Sequence, residues 1–141
     1  MTNDLSDRVG VGGNRGGGVQ VRRFDTPDQV LAFDKGRLEV ITVGRLLIGK
    51  GSYLPAWRLS QVSTVPGRVG SRAGGAYVAV VLSGRAKIVT DGQGESDLAP
   101  GDFFSSTGGH DFWVVGYRPC EILYLAGVEA LASQLGARPT E

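Results

Sequence analysis

The stretch between residues 38 and 126 is a succession of short segments rich in Val, Ile, Leu and aromatic residues, separated by Gly, Pro and Asp. Short apolar or alternating segments divided by turn residues predict β-strands. Many such strands at close spacing favour an all-β sandwich or small barrel. The predicted strands are 38–43, 45–48, 53–62, 77–82, 85–90, 96–98, 102–104, 110–115 and 121–125.

A short helix is predicted before these strands. Thr26 can cap a helix, Pro27 suits a first helical position, and Gln29 can complete a capping box. We therefore expect a short N-terminal helix over residues 27–33, with Gly36 ending it in a left-handed conformation.

A second helix is predicted near the C-terminus. Val128, Leu131, Ala132 and Leu135 recur at the i, i+3, i+4, i+7 spacing of an amphipathic helix, and Gly136 follows them. We expect this C-terminal helix to pack on the outside of the barrel or at a dimer contact.

Glycine is unusually frequent in the N-terminal segment. Of the 23 glycines, six fall between Gly10 and Gly18, where there is almost nothing to bury. We expect residues 1–19 to form a flexible Gly-rich tail and residues 20–141 to form a single domain. Two roles for the tail stay open: a disordered segment without function, or a lid that folds over a pocket when a ligand arrives.

Composition excludes several classes of protein. The 141 residues, 41% of them hydrophobic, suffice for one core of ordinary size. Fifteen Lys and Arg against 14 Asp and Glu leave a net charge of +1, so no nucleic-acid or membrane partner is expected. The longest apolar run, residues 77–82, is too short to span a bilayer, and no signal peptide opens the chain. These observations predict a cytoplasmic protein.

The residues that most often bind metals are scarce. Cys120 is the only cysteine and His110 the only histidine. A single cysteine excludes an internal disulfide, and one cysteine with one histidine cannot form a zinc site from these two residue types alone.

Four short segments resemble the cupin superfamily. VVLSGRAKI (residues 80–88) and LAPGDFF (residues 98–104) resemble the cupin hairpin and its "PGD" turn. PAWR (residues 55–58) and GHDFWVVG (residues 109–116) resemble a bacterial cupin subgroup that reads "PGWRW" and "PPGHDAWVVG" at these places. The similarity covers about residues 20–126.

The resemblance implies a cupin-like antiparallel β-barrel, or jelly roll. Ser83 and Gly84 would reverse a hairpin, and Asp102 would cap backbone donors in the turn at Pro100 and Gly101. Because cupins commonly pair through edge strands, the resemblance also implies a homodimer.

The chain departs from the cupins that bind a metal. Their ligands are a His-x-His pair, an acidic residue or third histidine, and a later histidine. Tyr77 and Phe112 stand at two of these positions here, and residues 59–75, where the His-x-His pair would lie, contain no His, Asp, Glu or Cys. We therefore expect no metal and no other cofactor.

The candidate ligand-binding residues come from the alternation of a strand. If residues 53–62 form one strand, then Tyr53, Trp57 and Gln61 share its inward face. Together with Phe112, they are the predicted substrate-binding residues. The alternative is that the large aromatic side chains simply fill the core.

The candidate catalytic residues are His110 and Tyr77. His110 shares parity with Phe112, and its imidazole could act as a general acid or base, oriented by Asp111 or Tyr77. The Tyr77 hydroxyl could hold a substrate carbonyl or enolate. Structural roles remain open for both side chains, because a histidine can fix a loop and a tyrosine hydroxyl can bond a neighbouring backbone group.

Three further side chains have alternative interpretations. Arg58 and Arg72 could bind a carboxylate or phosphate, or lie on the solvated surface. Cys120 has no basic neighbour in the sequence and is interpreted as a small core residue rather than a nucleophile.

The leading hypothesis is a metal-independent cupin that binds an apolar or aromatic small molecule. Such a barrel would act as a cyclase, isomerase or dehydratase, as in bacterial secondary metabolism. The alternative is a non-catalytic small-molecule-binding or accessory module.

Overall fold

A computed structural model describes residues 18–62, 76–90, 94–106, 110–135 and 138–139 of the chain. Most of these residues lie in strands, and the described helices are short. The strands are Gln29–Phe33 (β1), Gly36–Val43 (β2), Leu46–Tyr53 (β3), Tyr77–Ser83 (β4), Arg85–Thr90 (β5), Gly94–Leu98 (β6), Phe103–Ser106 (β7), His110–Val115 (β8), Cys120–Ala126 (β9) and Arg138–Pro139 (β10). The helices are Leu59–Val62 (α1) and Val128–Leu135 (α2).

The strands form two antiparallel sheets. The larger sheet has the order β10-β1-β2-β3-β9-β4-β7, and the smaller one has the order β6-β5-β8. Every strand pair in the described residues is antiparallel. The all-β prediction is confirmed.

One hydrophobic core is shared by the two sheets. Alternate residues of each strand face it, as the two-residue period of a strand requires. The larger sheet contributes Leu38, Val40, Tyr53, Tyr77, Ala79, Val81, Cys120, Ile122 and Tyr124, and the smaller one contributes Ala86, Ile88, Leu98, Phe112 and Val114. Burial of these side chains is the main stabilising term for the barrel.

The predicted N-terminal helix over residues 27–33 is wrong, because these residues enter β1. Gln29, predicted to complete the capping box, pairs with Val40 of β2 instead. Beside it, the Asp28 carboxylate accepts a hydrogen bond from the Thr42 amide at 2.8 Å, and the Asp28 amide donates to Val40 O at 2.8 Å. Arg22 also donates to the Asp28 carboxylate, at 2.6 and 3.0 Å. A seven-residue helix is marginal on its own, so pairing along β2 prevails.

The predicted strand over residues 53–62 is also wrong beyond its first residue. β3 ends at Tyr53, and the chain then turns, with the Trp57 amide donating to Leu54 O at 3.0 Å. Ala56 has φ = 77°, a left-handed conformation that interrupts any strand. Arg58 pairs with Trp113 in an isolated antiparallel bridge, and α1 follows.

Ser83 and Gly84 do not close a hairpin, which corrects the turn expected there. β4 and β5 belong to different sheets, so the chain crosses from one sheet to the other at Gly84. Gly84 has φ = 80°, and a Cβ at this position would overlap the Pro119 carbonyl oxygen and the Cys120 backbone. Glycine is required here for both reasons.

The turn at Pro100 and Gly101 is confirmed. Asp102 Oδ2 accepts a hydrogen bond from the Ala99 amide at 2.8 Å, the backbone capping that was expected. Two further bonds attach the turn to β4, from the Val81 amide to Asp102 O at 3.0 Å and from the Gly101 amide to Val81 O at 2.9 Å.

The C-terminal helix is confirmed as α2. Val128, Leu131 and Leu135 are buried in the shared core, so this helix closes the barrel rather than lying on its surface. Gly136, its predicted end, and residues 1–17 of the predicted tail lie outside the described residues. None of the described helices has the length and apolar content needed to cross a membrane.

Candidate functional site

Aromatic rings cluster between the two sheets. Seven rings form one continuous cluster, in which each ring lies within 6.5 Å of another, centroid to centroid. Its members, called here the aromatic cluster, are Phe33, Tyr53, Trp57, Tyr77, Phe104, Phe112 and Tyr124. Pairs at these distances attract each other beyond the effect of burial alone.

Three of the predicted substrate-binding residues meet in this cluster. The ring of Tyr53 lies 4.3 Å from that of Trp57 and 5.9 Å from that of Phe112, centroid to centroid. Trp57 meets Phe112 edge to face at 5.6 Å. Their convergence was expected, although the turn and the bridge to β8 produce it rather than one continuous strand.

Two tyrosine hydroxyls bond to each other inside the barrel. Tyr53 Oη and Tyr124 Oη are 2.8 Å apart, and either can be the donor. Tyr124 was not among the predicted site residues. The signal was available, because Cys120, Ile122 and Tyr124 alternate along β9 and all three are buried.

Tyr77 extends the cluster toward β7. Its ring meets Tyr124 at 5.5 Å and Phe104 at 6.3 Å, both edge to face, and its hydroxyl hydrogen-bonds to Ser106. Phe104 lies in the predicted strand 102–104 but was not predicted as a site residue, and Ser106 lies beyond the end of that predicted strand.

Burial controls the protonation of these phenols. Removal from water raises the pKa of Tyr53, Tyr77 and Tyr124 well above 10, since the tyrosinate anion is poorly solvated in this interior. At neutral pH the three hydroxyls are therefore uncharged, and they can donate hydrogen bonds but do not act as bases.

The indole of Trp57 is buried with an unused donor. The side chain is 3% exposed, and its Nε1 has no hydrogen-bond partner among the described residues. Buried polar groups are normally paired, because an unpaired donor loses its bond to water without replacement.

Contacts outside the barrel set the position of Trp57. Asp111 Oδ2 accepts from Arg58 Nε at 2.9 Å, and Asp111 Oδ1 accepts from the Ser60 amide at 3.0 Å. The guanidinium of Arg58 lies 4.2 Å from the centroid of the Trp113 ring. The Val114 amide donates to Trp57 O at 3.1 Å, which continues the pairing onto β8. Arg58 was predicted either to bind a carboxylate or phosphate or to lie on the solvated surface. In the structure its guanidinium pairs with the Asp111 carboxylate.

Solved structures share this architecture at low sequence identity. Ectoine synthase from P. lautus matches with a TM-score of 0.55 and 11% identity, over 87% of this chain and 91% of that protein. A sugar phosphate isomerase of the cupin superfamily from Silicibacter pomeroyi matches with a TM-score of 0.54 and 15% identity, over 74% and 73%. HppE with iron(II) matches at 0.53 and 15%, over 77% of this chain and 60% of that one. The chain has the cupin fold. No protein-family model and no curated protein matches the sequence.

Among the described residues, the side chains at the two expected ligand positions do not fit a metal ion. Tyr77 and Phe112, which stand where metal-binding cupins carry ligands, are members of the aromatic cluster, and a protonated phenol and a phenyl ring are poor ligands. The described residues contain no group of three His, Cys, Asp or Glu side chains placed to hold a metal. Residues 63–75 contain none of these residue types.

The remaining predicted site residues fall elsewhere. Gln61 lies on α1 with its side chain exposed, so its expected inward position was wrong, because that position assumed a continuous strand. His110 begins β8 opposite Thr90, and its side chain lies outside the described part of the structure, as does Arg72. Cys120 is buried, and burial raises the pKa of its thiol to about 12, so it stays protonated as a core residue does.

Proposed function

We propose that this cupin-fold protein binds an apolar, aromatic small molecule inside its barrel, and that buried phenols assist an isomerisation, cyclisation or dehydration of that molecule. Reactions of this class occur in bacterial secondary metabolism. The observation that carries the proposal is the hydrogen-bonded pair Tyr53–Tyr124 within the aromatic cluster.

The chemistry of the interior favours an aromatic ligand. Rings presented both tilted and edge to face offer contacts for another ring. Inward-facing Gly49 and Gly51 lie opposite Tyr124 and Ile122 of β9, and a Cβ at Gly51 would overlap the Tyr53 ring, so glycine lets this ring lie flat against an apolar wall. Pockets that bind small molecules combine such apolar walls with a few polar groups.

The phenols can assist catalysis without a metal. A neutral phenol donates a hydrogen bond, and in a dry interior such a bond stabilises negative charge that develops on a substrate oxygen. Enolisation of a ketone needs such a hydrogen bond. A base removes the α-hydrogen as a proton, the electron pair of the broken C–H bond forms the C=C bond, and the π electrons of the C=O bond move onto the oxygen, which carries the negative charge of the enolate. Tyr77 is the proposed donor, and His110 is the proposed base.

A second candidate function is a non-catalytic binding or accessory module. The observation that favours it is the tight contact within the cluster: Tyr53 is 1% exposed and its ring meets that of Trp57 at 4.3 Å. If the rings only fill the barrel, the fold presents its outer surface to a partner, and its interior has no chemistry.

Binding is tested by ligand-detected NMR against a panel of neutral aromatic compounds of one and two rings. Ala79 is fully buried on the inward face of β4, and its neighbour Val78 faces outward and is 40% exposed. Ala79→Leu should abolish saturation transfer to the compounds, whereas the matched variant Val78→Leu should preserve it. Transfer to no compound in the wild-type protein would favour the accessory function.

Catalysis is tested with acetophenone in D2O, where enolisation replaces the methyl hydrogens by deuterium. The wild-type protein should accelerate this exchange, and Tyr77→Phe and His110→Ala should each reduce the acceleration by about 100-fold or more. Equal exchange rates in the wild-type protein and both variants would leave a binding protein without this activity.

A further inference from the structure

The described part of the chain leaves some hydrogen-bond donors of the aromatic cluster without a partner. Tyr53 and Tyr124 bond to each other, and neither hydroxyl has another hydrogen-bond partner among the described residues. Two hydroxyls carry two protons, and the bond between them uses only one. One phenolic proton of the pair is therefore left without an acceptor among the residues that the structure describes.

Trp57 adds a second spare donor to the same cluster. Its indole Nε1–H is buried without a partner among the described residues, and its ring lies 4.3 Å from that of Tyr53, centroid to centroid. An indole N–H can only donate. Both groups would be satisfied by the same kind of partner, a hydrogen-bond acceptor atom.

The surroundings decide the charge of that acceptor. The described side chains of the shared core are apolar or uncharged. Glu39 is buried too, but it alternates with Leu38 and Val40 along β2 and pairs with Arg37 at 3.2 Å and Lys50 at 3.7 Å, on the other face of the sheet. An anion inside the core would lose its hydration without gaining a cation, so the acceptor must be neutral.

We propose that Trp57 Nε1 and the Tyr53–Tyr124 pair form a donor subsite that selects aromatic ligands bearing a neutral acceptor oxygen, such as an aryl ketone, over hydrocarbons and carboxylates of the same shape. This inference rests on the proposed function, because it requires a ligand in the barrel. It adds that the ligand carries a neutral hydrogen-bond acceptor, a property that aromatic contacts alone do not determine.

Three probes of similar size separate these cases: acetophenone, ethylbenzene and benzoate, each titrated by ligand-detected NMR at neutral pH. Acetophenone should bind about tenfold more tightly than ethylbenzene, the difference that a buried hydrogen bond makes, and benzoate should bind least. Trp57→Phe keeps an aromatic ring and removes the N–H. It should lower the affinity for acetophenone several-fold more than the affinity for ethylbenzene, because it removes one of the donors and keeps a ring.

The matched control is Trp113→Phe, which changes the other tryptophan of the chain, outside the aromatic cluster. It should leave the order of the three affinities unchanged. It also assigns the two indole signals of the 1H–15N spectrum, since the signal that persists belongs to Trp57. In the wild-type protein acetophenone should shift this signal and ethylbenzene should not, a readout that holds even if Trp57→Phe does not fold.

Equal affinities for acetophenone and ethylbenzene, or an unmoved Trp57 indole signal when acetophenone binds, would overturn the donor subsite and leave the proposed aromatic binding standing. Binding of none of the probes, together with none of the panel compounds, would overturn both.

Discussion

Asp111 holds Arg58 across 53 positions of sequence: Arg58 Nε donates to Asp111 Oδ2 at 2.9 Å, and the same carboxylate receives the Ser60 amide. Arg58 and Asp111 belong to the two segments, PAWR and GHDFWVVG, that resemble a cupin subgroup. The contact gives a physical reason for the two segments to occur together, because one carboxylate anchors the turn that carries Trp57 onto β8.

Asp111→Ala should destabilise the fold by about 2 kcal/mol, because it removes a charge-assisted bond to Arg58 and leaves the Ser60 amide without its acceptor. Urea unfolding measures the change. The control is Glu95→Ala, which removes an exposed partner of Lys87 at 3.3 Å and should cost less than about 0.5 kcal/mol. Equal losses from the two variants would show that the Asp111 contacts add nothing to an ordinary surface pair.

Ala56→Gly should stabilise the protein by about 0.5–1 kcal/mol. Ala56 adopts φ = 77°, where a Cβ costs about 1–2 kcal/mol, while glycine loses somewhat more entropy on folding. The resembling subgroup has Gly at this position. Ala32→Gly in β1 is the control and should destabilise, because the strand conformation gives glycine no advantage. A fall in the unfolding free energy of Ala56→Gly would contradict the assigned strain.

Gly84→Ala should be far more damaging than Gly94→Ala, although both glycines have φ = 80°. A Cβ at Gly94 meets nothing within 4 Å, so its cost is the left-handed conformation, about 1–2 kcal/mol. A Cβ at Gly84 also overlaps the Pro119 carbonyl, and we expect a loss above about 4 kcal/mol. Thermal melts compare the two variants, and similar midpoints would argue against the close crossing.

The Tyr53–Tyr124 hydrogen bond should appear as coupling in a double-mutant cycle. Tyr53→Phe or Tyr124→Phe leaves the other hydroxyl buried without a partner, at a cost of about 1–3 kcal/mol. The double variant should cost about 1 kcal/mol less than the sum of the singles. Tyr117→Phe, at a side chain that is 98% exposed, should change nothing. Additive losses would mean that the two hydroxyls do not stabilise each other.

Stability should fall steeply above about pH 10. The folded protein raises the pKa of Tyr53, Tyr77 and Tyr124 above the ordinary value of 10.0, and that of Cys120 from 9.0 to about 12. Above these ordinary values the unfolded chain binds fewer protons than the folded one, so the unfolding free energy decreases as pH rises. Below about pH 9 these groups should leave stability unchanged.

Thermal midpoints between pH 8 and pH 11 measure the effect. The double variant Tyr53→Phe, Tyr124→Phe should show a shallower decrease, because two of the groups that titrate on unfolding are gone. The same slope in the double variant and the wild-type protein would show that groups other than Tyr53 and Tyr124 cause the loss of stability at high pH.

Strands whose alternation is local could be predicted from the sequence. β5 and β8 have the predicted bounds, and α2 follows its helical spacing. The N-terminal segment could not be predicted, because Thr26, Pro27 and Gln29 match a helix start in the sequence, yet Gln29 pairs with Val40 in the strand that β1 joins. The crossing at Gly84 depends likewise on Pro119, a residue distant in sequence.

The candidate site, too, could be predicted from the sequence only in part. Tyr53, Trp57 and Phe112 are large aromatic residues, so their burial in one core could be predicted from residue type. The position of Gln61 could not, because the turn at Ala56 cancels the parity on which it depended. The pairing of Tyr53 with Tyr124 requires knowing that β3 and β9 are neighbours, which only the assembled sheet shows.

The anchoring of Trp57 from outside has a consequence for how such a barrel diversifies. Arg58 and Trp113 stack at the surface, while the indole of Trp57 lies inside. The Asp111 bonds to Arg58 and to the Ser60 amide hold this segment in place, so a substitution of Trp113 changes the surface without altering any ring of the aromatic cluster. The surface of such a barrel can therefore diversify in small steps while the crowded interior, where nearly every substitution is costly, stays the same.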